Sequence, residues 1–168
     1  ERFGFKPGRG QNLAFEVRTE IDTAAFQQLA RMAEIARRKE KFVIRSANFK
    51  RWEDEIDPLL VLLNASLAHL EGHIPWQRDD LRALLAPFRE FADPELVLFA
   101  ELNGRMIGFF PGIPNLNEAL IHANGLRYPW DYLSAWFHMR RKPDCLSIKS
   151  VLVHPDFWGG GASILLFD

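Results

Sequence analysis

With 168 residues, 48% of them hydrophobic and 26% charged, the chain has enough apolar material for one core of ordinary size and too much for a disordered segment. Its 21 basic residues are balanced by 22 acidic ones, so no global field draws it to nucleic acid or to an anionic membrane surface. Cys145 is the only cysteine, which excludes an intramolecular disulfide; no Cys/His spacing suits a metal, and no apolar run approaches a bilayer span, so a metal-free protein of the reducing cytoplasm is expected.

Residues 2–10 are rich in glycine and basic side chains, and Leu13, Phe15 and Val17 then alternate with Ala14, Glu16 and Arg18 as in a short edge strand. Asp22 or Thr23 is placed to cap a helix in which Phe26, Leu29, Met32 and Ile35 recur every three positions. The cluster Arg37, Arg38 and Lys39 suits the negative end of that helix's dipole. Residues 42–45 read as a strand, and Asn48 as the cap of a helix through Trp52, Ile56, Leu59, Leu60 and Leu63, with a kink or a restart at Pro58. After Gly72 and Pro75, residues 77–91 predict an amphipathic helix that starts near Asp79 and bends at Pro87, closed by Asp93-Pro94.

Residues 96–102 and 105–110 are strand-like runs around Asn103-Gly104, the pair favoured in a two-residue type I′ hairpin turn, and Pro111-Gly112-Ile113-Pro114 is expected to end the second strand. Two helical stretches, 116–123 and 130–139, look like an insertion. Residues 145–153 then predict one strand, with Leu146, Ile148, Val151 and Val153 apolar, broken by His154-Pro155 ahead of three consecutive glycines.

Two segments carry a resemblance: the hairpin Glu101-Leu102-Asn103-Gly104-Arg105-Met106-Ile107-Gly108-Phe109, and the run Val151-Leu152-Val153-His154-Pro155-Asp156-Phe157-Trp158-Gly159-Gly160-Gly161-Ala162-Ser163. With the order of elements around them, residues 42–168 resemble part of a GNAT-superfamily N-acyltransferase domain. The resemblance implies an α/β (α+β) fold with a mixed, mostly antiparallel central sheet flanked by helices. It makes residues 1–41 the tail of a preceding domain with a connecting helix. It also implies acetyl-CoA or another acyl-CoA as co-substrate, no metal, and a small-molecule or peptide amine as acceptor, attacking the thioester directly. The main chain of Val151, Leu152 and Val153 would bond the pantetheine arm, and Trp158, Gly159, Gly160, Gly161, Ala162 and Ser163 would hold the pyrophosphate. Trp158 stands where the family usually has glutamine or arginine, and Ser163 where it usually has a second glycine or alanine.

The glycines suit phosphates for a reason independent of any family. Main-chain N–H groups at a helix start can approach a diphosphate closely only where side chains are absent. The same glycines also suit a plain strand-to-helix connector.

For the base that takes the amine's proton, Glu101 and His154 are the candidates, against a solvated carboxylate and a capping imidazole as the alternatives. Lys149 and Ser150 occupy the strand in which some family members carry a catalytic carboxylate. Cys145 reads as a buried apolar residue rather than a nucleophile. The aromatic residues Tyr128, Trp130, Tyr132, Trp136 and Phe137 could line an acceptor pocket or form the insertion's own core. The sequence stops at Asp168, just after the apolar residues 164–167 and without a helix-ending residue, so a fragment of a longer protein is expected, its unfinished sheet edge open to self-association. Three readings stay open: an N-acyltransferase active in full-length form, a degenerate module that binds CoA or a partner without turnover, and a structural fragment.

Overall fold

The computed structural model describes Val17 and residues 23–39, 41–90, 92–139, 144–148 and 150–168. The edge strand expected around residues 13–17 lies outside the described residues except for Val17, and the possible cap Asp22 lies outside them too. In chain order the elements are α1 (Ala24–Lys39), β1 (Phe42–Ser46), α2 (Trp52–Leu67), α3 (Arg78–Leu85), β2 (Val97–Leu102), β3 (Arg105–Pro114), α4 (Asn117–Leu120), α5 (Pro129–Met139), β4 (Leu146–Ile148), β5 (Leu152–Val153) and α6 (Gly161–Phe167). The strands form one antiparallel sheet in the order β1-β2-β3-β4, with β5 also paired to β3. This is a mixed α/β fold with helices on both faces of the sheet.

The hairpin forms as its turn residues require. Asn103 and Gly104 both take positive φ, 52° and 77°, the type I′ geometry that matches the twist of the flanking strands. The register shifts once, between Ala100 and Glu101. β3 does not stop at Phe110; it continues to Pro114, because β2 pairs it as far as Pro111 and β4 then pairs residues 112–114. The single strand expected over residues 145–153 is two. β4 faces residues 112–114 of β3 and β5 faces Gly108 and Phe109, and the two pairings are out of step by one residue. The break falls opposite Pro111, which has no N–H to give to a neighbouring strand.

α2 and α3 cover one face. Trp52, Ile56, Leu59 and Leu62 of α2 and Leu81 of α3 pack with Phe99, Met106, Phe109 and Leu152. α2 runs through Pro58 without restarting. Pro58 lies on the solvent side with Asp54, whose carbonyl loses its helical partner where water can replace it. Past α3 the chain tightens at Ala86–Glu90 into a 3-10 turn that contains Pro87, while Phe91 lies outside the described residues.

α6 and α1 cover the other face. Ala162 and Leu166 pack with Ala100, Ile107, Phe110 and Val153, while Leu165 meets Ala33 and Ala36 of α1. Thr23 caps α1, its Oγ1 accepting from the N–H of Phe26 at 3.4 Å. The buried face of α1 is not the one a three-residue repeat predicts, since Met32 and Ile35 are exposed and the alanines are buried. Three residues advance a helix by about 60° less than a full turn, so such a repeat drifts off any one face.

Candidate functional site

β5 leads into the glycine turn on the α6 side of the molecule. The N–H of His154 donates to the carbonyl of Ile107 at 2.8 Å, so the alternation of an antiparallel pair turns the main-chain groups of Val153 away from β3, toward an open edge. That edge is not bare. The carbonyl of Val153 accepts from Ser66 Oγ at 3.2 Å and from Trp158 Nε1 at 2.7 Å. Trp158 also meets His69 edge-on, with ring centroids 5.0 Å apart. Trp158 therefore folds the turn back onto its own strand. Leu152 is buried in the sheet, and Val151 lies just before β5, partly buried.

Each glycine of the turn has a separate reason. Gly159 has φ 76°, and a Cβ built there meets nothing within 4 Å. A Cβ on Gly160 would lie 3.1 Å from the carbonyl oxygen of Phe157, which accepts from Gly160's own N–H. On Gly161 it would lie 2.5 Å from Cβ of Ala36, inside van der Waals contact. The N–H groups of Gly161, Ala162 and Ser163 open α6 and have no acceptor inside the helix.

The Ala36–Gly161 contact also places the last turn of α1, with Arg37, Arg38 and Lys39, beside the glycine turn; Phe42 follows, its ring 3.7 Å from the Gly161 position. Arg37 pairs with Asp168 at 2.6 Å and Arg38 with Glu34 at 3.6 Å, whereas Lys39 and Lys41 have no ion pair among the described residues. The basic cluster read from the sequence as helix-end chemistry thus flanks the turn suited to phosphates. The signal that could have shown this is the pair of small residues, Ala36 and Gly161, that lets two helices touch.

The candidate bases are both engaged. Glu101 accepts from Arg45 Nε at 2.7 Å, and the same guanidinium forks onto Glu55 at 2.7 and 2.8 Å. Glu55 is buried, and Arg45 also lies over the ring of Phe99, 4.9 Å from its centroid. The hydrogen bonds that Arg45 donates to Glu55 and to Glu101 raise its pKa above the ordinary value against the opposing effect of burial. His154 Nε2 lies 2.8 Å from an Arg105 nitrogen, and its Nδ1 lies 3.3 Å from the N–H of Asp156 and 3.4 Å from that residue's carboxylate. A neutral imidazole has one acceptor nitrogen, and arginine can only donate. The Arg105 guanidinium at Nε2 and the Asp156 N–H at Nδ1 therefore compete for that single acceptor. Lys149 lies outside the described residues, Ser150 is exposed, and Cys145 is exposed rather than buried.

Beneath β5, on its α2 side, is an apolar cavity of about 320 Å³ walled by Trp52, Leu63, Trp76, Leu81, Phe109 and Leu152, among others, with Arg89 and Ser150 at its rim. A larger cleft of about 660 Å³ lies where the end of β3 meets α4 and α5, and it touches neither β5 nor the glycine turn. The aromatic residues of the insertion form no core: Tyr128, Trp130, Tyr132, Trp136 and Phe137 are each more than half exposed. α5 instead buries Ala135 and Asp131, whose carboxylate accepts from the N–H groups of Arg127 and Tyr128.

No protein-family model matches the chain. A bacterial ceramide synthase of Caulobacter vibrioides is 27% identical over 115 residues, covering 65% of this chain and 30% of that protein. Protein YghO of Escherichia coli is 22% identical over 102 residues, 61% of this chain and 26% of that protein. The chain thus spans less than a third of the length of the curated relatives it matches. Among solved structures, an N-acetyltransferase from Staphylococcus aureus Mu50 superposes with a TM-score of 0.44 at 20% identity, over 75% of this chain and 62% of that one. Among the described residues no helix is long and apolar enough to cross a membrane.

Proposed function

We propose that this chain belongs to an acyl-CoA-dependent N-acyltransferase and supplies the site for the donor's diphosphate. One observation carries the proposal: three glycines lead from an open strand edge into the start of a helix, and the basic last turn of α1 lies alongside. Main-chain donors without side chains, a helix start and lysines with no ion pair among the described residues form a combination that favours a diphosphate. The Caulobacter relative adds the type of bond made, because a ceramide is the amide of a long-chain amino alcohol and its synthase must acylate an amine.

In this scheme the N–H groups of Gly161, Ala162 and Ser163 and the side chains of Lys39 and Lys41 hold the phosphates. The pantetheine arm lies along the edge at Val153, whose carbonyl exchanges the Trp158 donor for one from the arm. The amine attacks the thioester carbon, a base takes the amine's proton, the C–S bond breaks to release CoA thiolate, and that proton passes to the sulfur to give the thiol. Glu101 is committed to Arg45. His154 is the group nearer the strand, and its Nε2 can accept that proton once Arg105 moves off it.

A second reading, binding of CoA without turnover, is favoured by the pairing of both candidate bases and by the two donors already on Val153. Calorimetric titration of acetyl-CoA, followed by thiol release in the presence of an amine panel, separates the two. Binding with thiol release is expected, and saturable binding without release would support the second reading. Lys39→Glu with Lys41→Glu should weaken binding by about fivefold, from about 0.5 kcal/mol at each exposed site. No binding by the folded protein would overturn both readings.

A further inference from the structure

We infer that the cavity beneath β5 is a binding site for one unbranched hydrocarbon chain of an amphiphilic reactant, whose polar end emerges at Ser150. Protein interiors contain few voids larger than a water molecule, whereas ligand pockets begin at about 300 Å³. At about 320 Å³, this cavity has the volume of a small ligand site. A methylene occupies about as much room as a water molecule in the liquid, about 30 Å³, so the space takes about ten methylenes in single file. Two chains or a fused-ring lipid would not fit.

The walls favour a hydrocarbon. Apart from the rim residues Arg89 and Ser150, the described lining residues are apolar or aromatic. The main chain of Trp76 is anchored to α2 by two hydrogen bonds with Asn64, its N–H donating to Oδ1 at 2.8 Å and its carbonyl accepting from Nδ2 at 3.1 Å.

The position connects the cavity to the chemistry. Leu152 of β5 and Phe109 of β3 form part of its wall, and they are the paired residues next to Val153. A chain lying here has its head beside the strand edge. Only this last step, which makes the chain's owner a reactant, rests on the acyl-transfer reading. The chain belongs either to the acyl donor or to the amine acceptor, and the experiment distinguishes them.

The full chain is titrated calorimetrically with two series: acetyl-, butyryl-, octanoyl- and decanoyl-CoA, and butyl-, octyl- and decylamine. Affinity is expected to rise about three- to fourfold per methylene in one series and to level off near the longest member. A rise in the CoA series assigns the chain to the donor, and a rise in the amine series to the acceptor. Leu84→Trp fills the cavity from its half-exposed rim and should lower decyl binding at least tenfold, leaving acetyl-CoA binding unchanged; Leu63→Phe fills it from α2, and Leu133→Trp on α5 is the control. Chain-length dependence absent from both series, or present but untouched by both filling variants, overturns the inference. If decylamine binds with this dependence while no CoA ester binds at all, the acyl-transfer reading fails and the hydrocarbon site stands.

Discussion

Gly161→Ala tests whether the glycine turn serves packing as well as phosphates. The added methyl would sit 2.5 Å from Cβ of Ala36 and 3.4 Å from its Cα. Carbon atoms at rest are about 3.5–4.0 Å apart, so α1 and α6 must separate by about 1 Å. That movement loosens the cluster of Ala33, Ala36 and Leu165. Overpacking of this kind costs about 1–3 kcal/mol, and the better helix propensity of alanine returns at most about 1 kcal/mol. A net loss of about 1–2 kcal/mol is expected, a fall in Tm of about 2–8 °C for a chain of this size. Thermal unfolding followed by circular dichroism measures it. Ala36→Gly in the same molecule restores the space, so the double mutant should recover about 1 kcal/mol relative to the sum of the singles. A Gly161→Ala protein as stable as the parent, or strictly additive single effects, would refute the steric account.

Other perturbations test the site from different sides. Arg45→Met leaves the buried carboxylate of Glu55 without its partner and should destabilise by about 3 kcal/mol in chemical denaturation, near the low end for buried pairs because the guanidinium is partly exposed. Glu101→Gln keeps the Glu55–Arg45 fork and should cost about 1 kcal/mol; equal losses for the two variants would contradict the division of the network. The folded-state pKa of Arg45 is raised, so its stabilising contribution is complete below the unfolded-state value and declines only as pH rises through the folded one. Arginine stays protonated well beyond pH 10 even in the unfolded chain, so alkali up to about pH 10 should not narrow the gap between parent and Arg45→Met. Trp158→Phe removes one of two donors to Val153 and should cost about 1 kcal/mol in stability while tightening acyl-CoA binding; looser binding would mean that the indole holds the donor directly.

The hairpin was legible because Asn103-Gly104 encodes its own dihedrals and the flanking runs supply the strands. The face of α1 was not, because large apolar residues dominate a periodicity while the contact is made by Ala33 and Ala36, whose value lies in being small. Nor was the division of β4 from β5, since Pro111 acts on the strand opposite it rather than on its own. At the site, the strand, turn and helix order could be read directly. The commitments of Glu101 to Arg45, His154 to Arg105 and Trp158 to Val153 could not, because they depend on distances across the fold. The cavity could not be read either, because it is a gap between α2, α3 and the sheet and not a property of any one element.

The contact between Ala36 and Gly161 joins the helices that precede and follow all five strands in sequence, and the Arg37–Asp168 bond beside it spans 131 positions. Closing so long a loop is entropically affordable only after the intervening sheet has formed. The α1–α6 seam should therefore be absent from the folding transition state and should be the first part of the structure to open. Ala36→Gly would then accelerate unfolding and leave the refolding rate nearly unchanged. The turn proposed to hold phosphates is built on that seam, so a bound donor would act as a clasp, slowing the molecule's unfolding more than it speeds its folding.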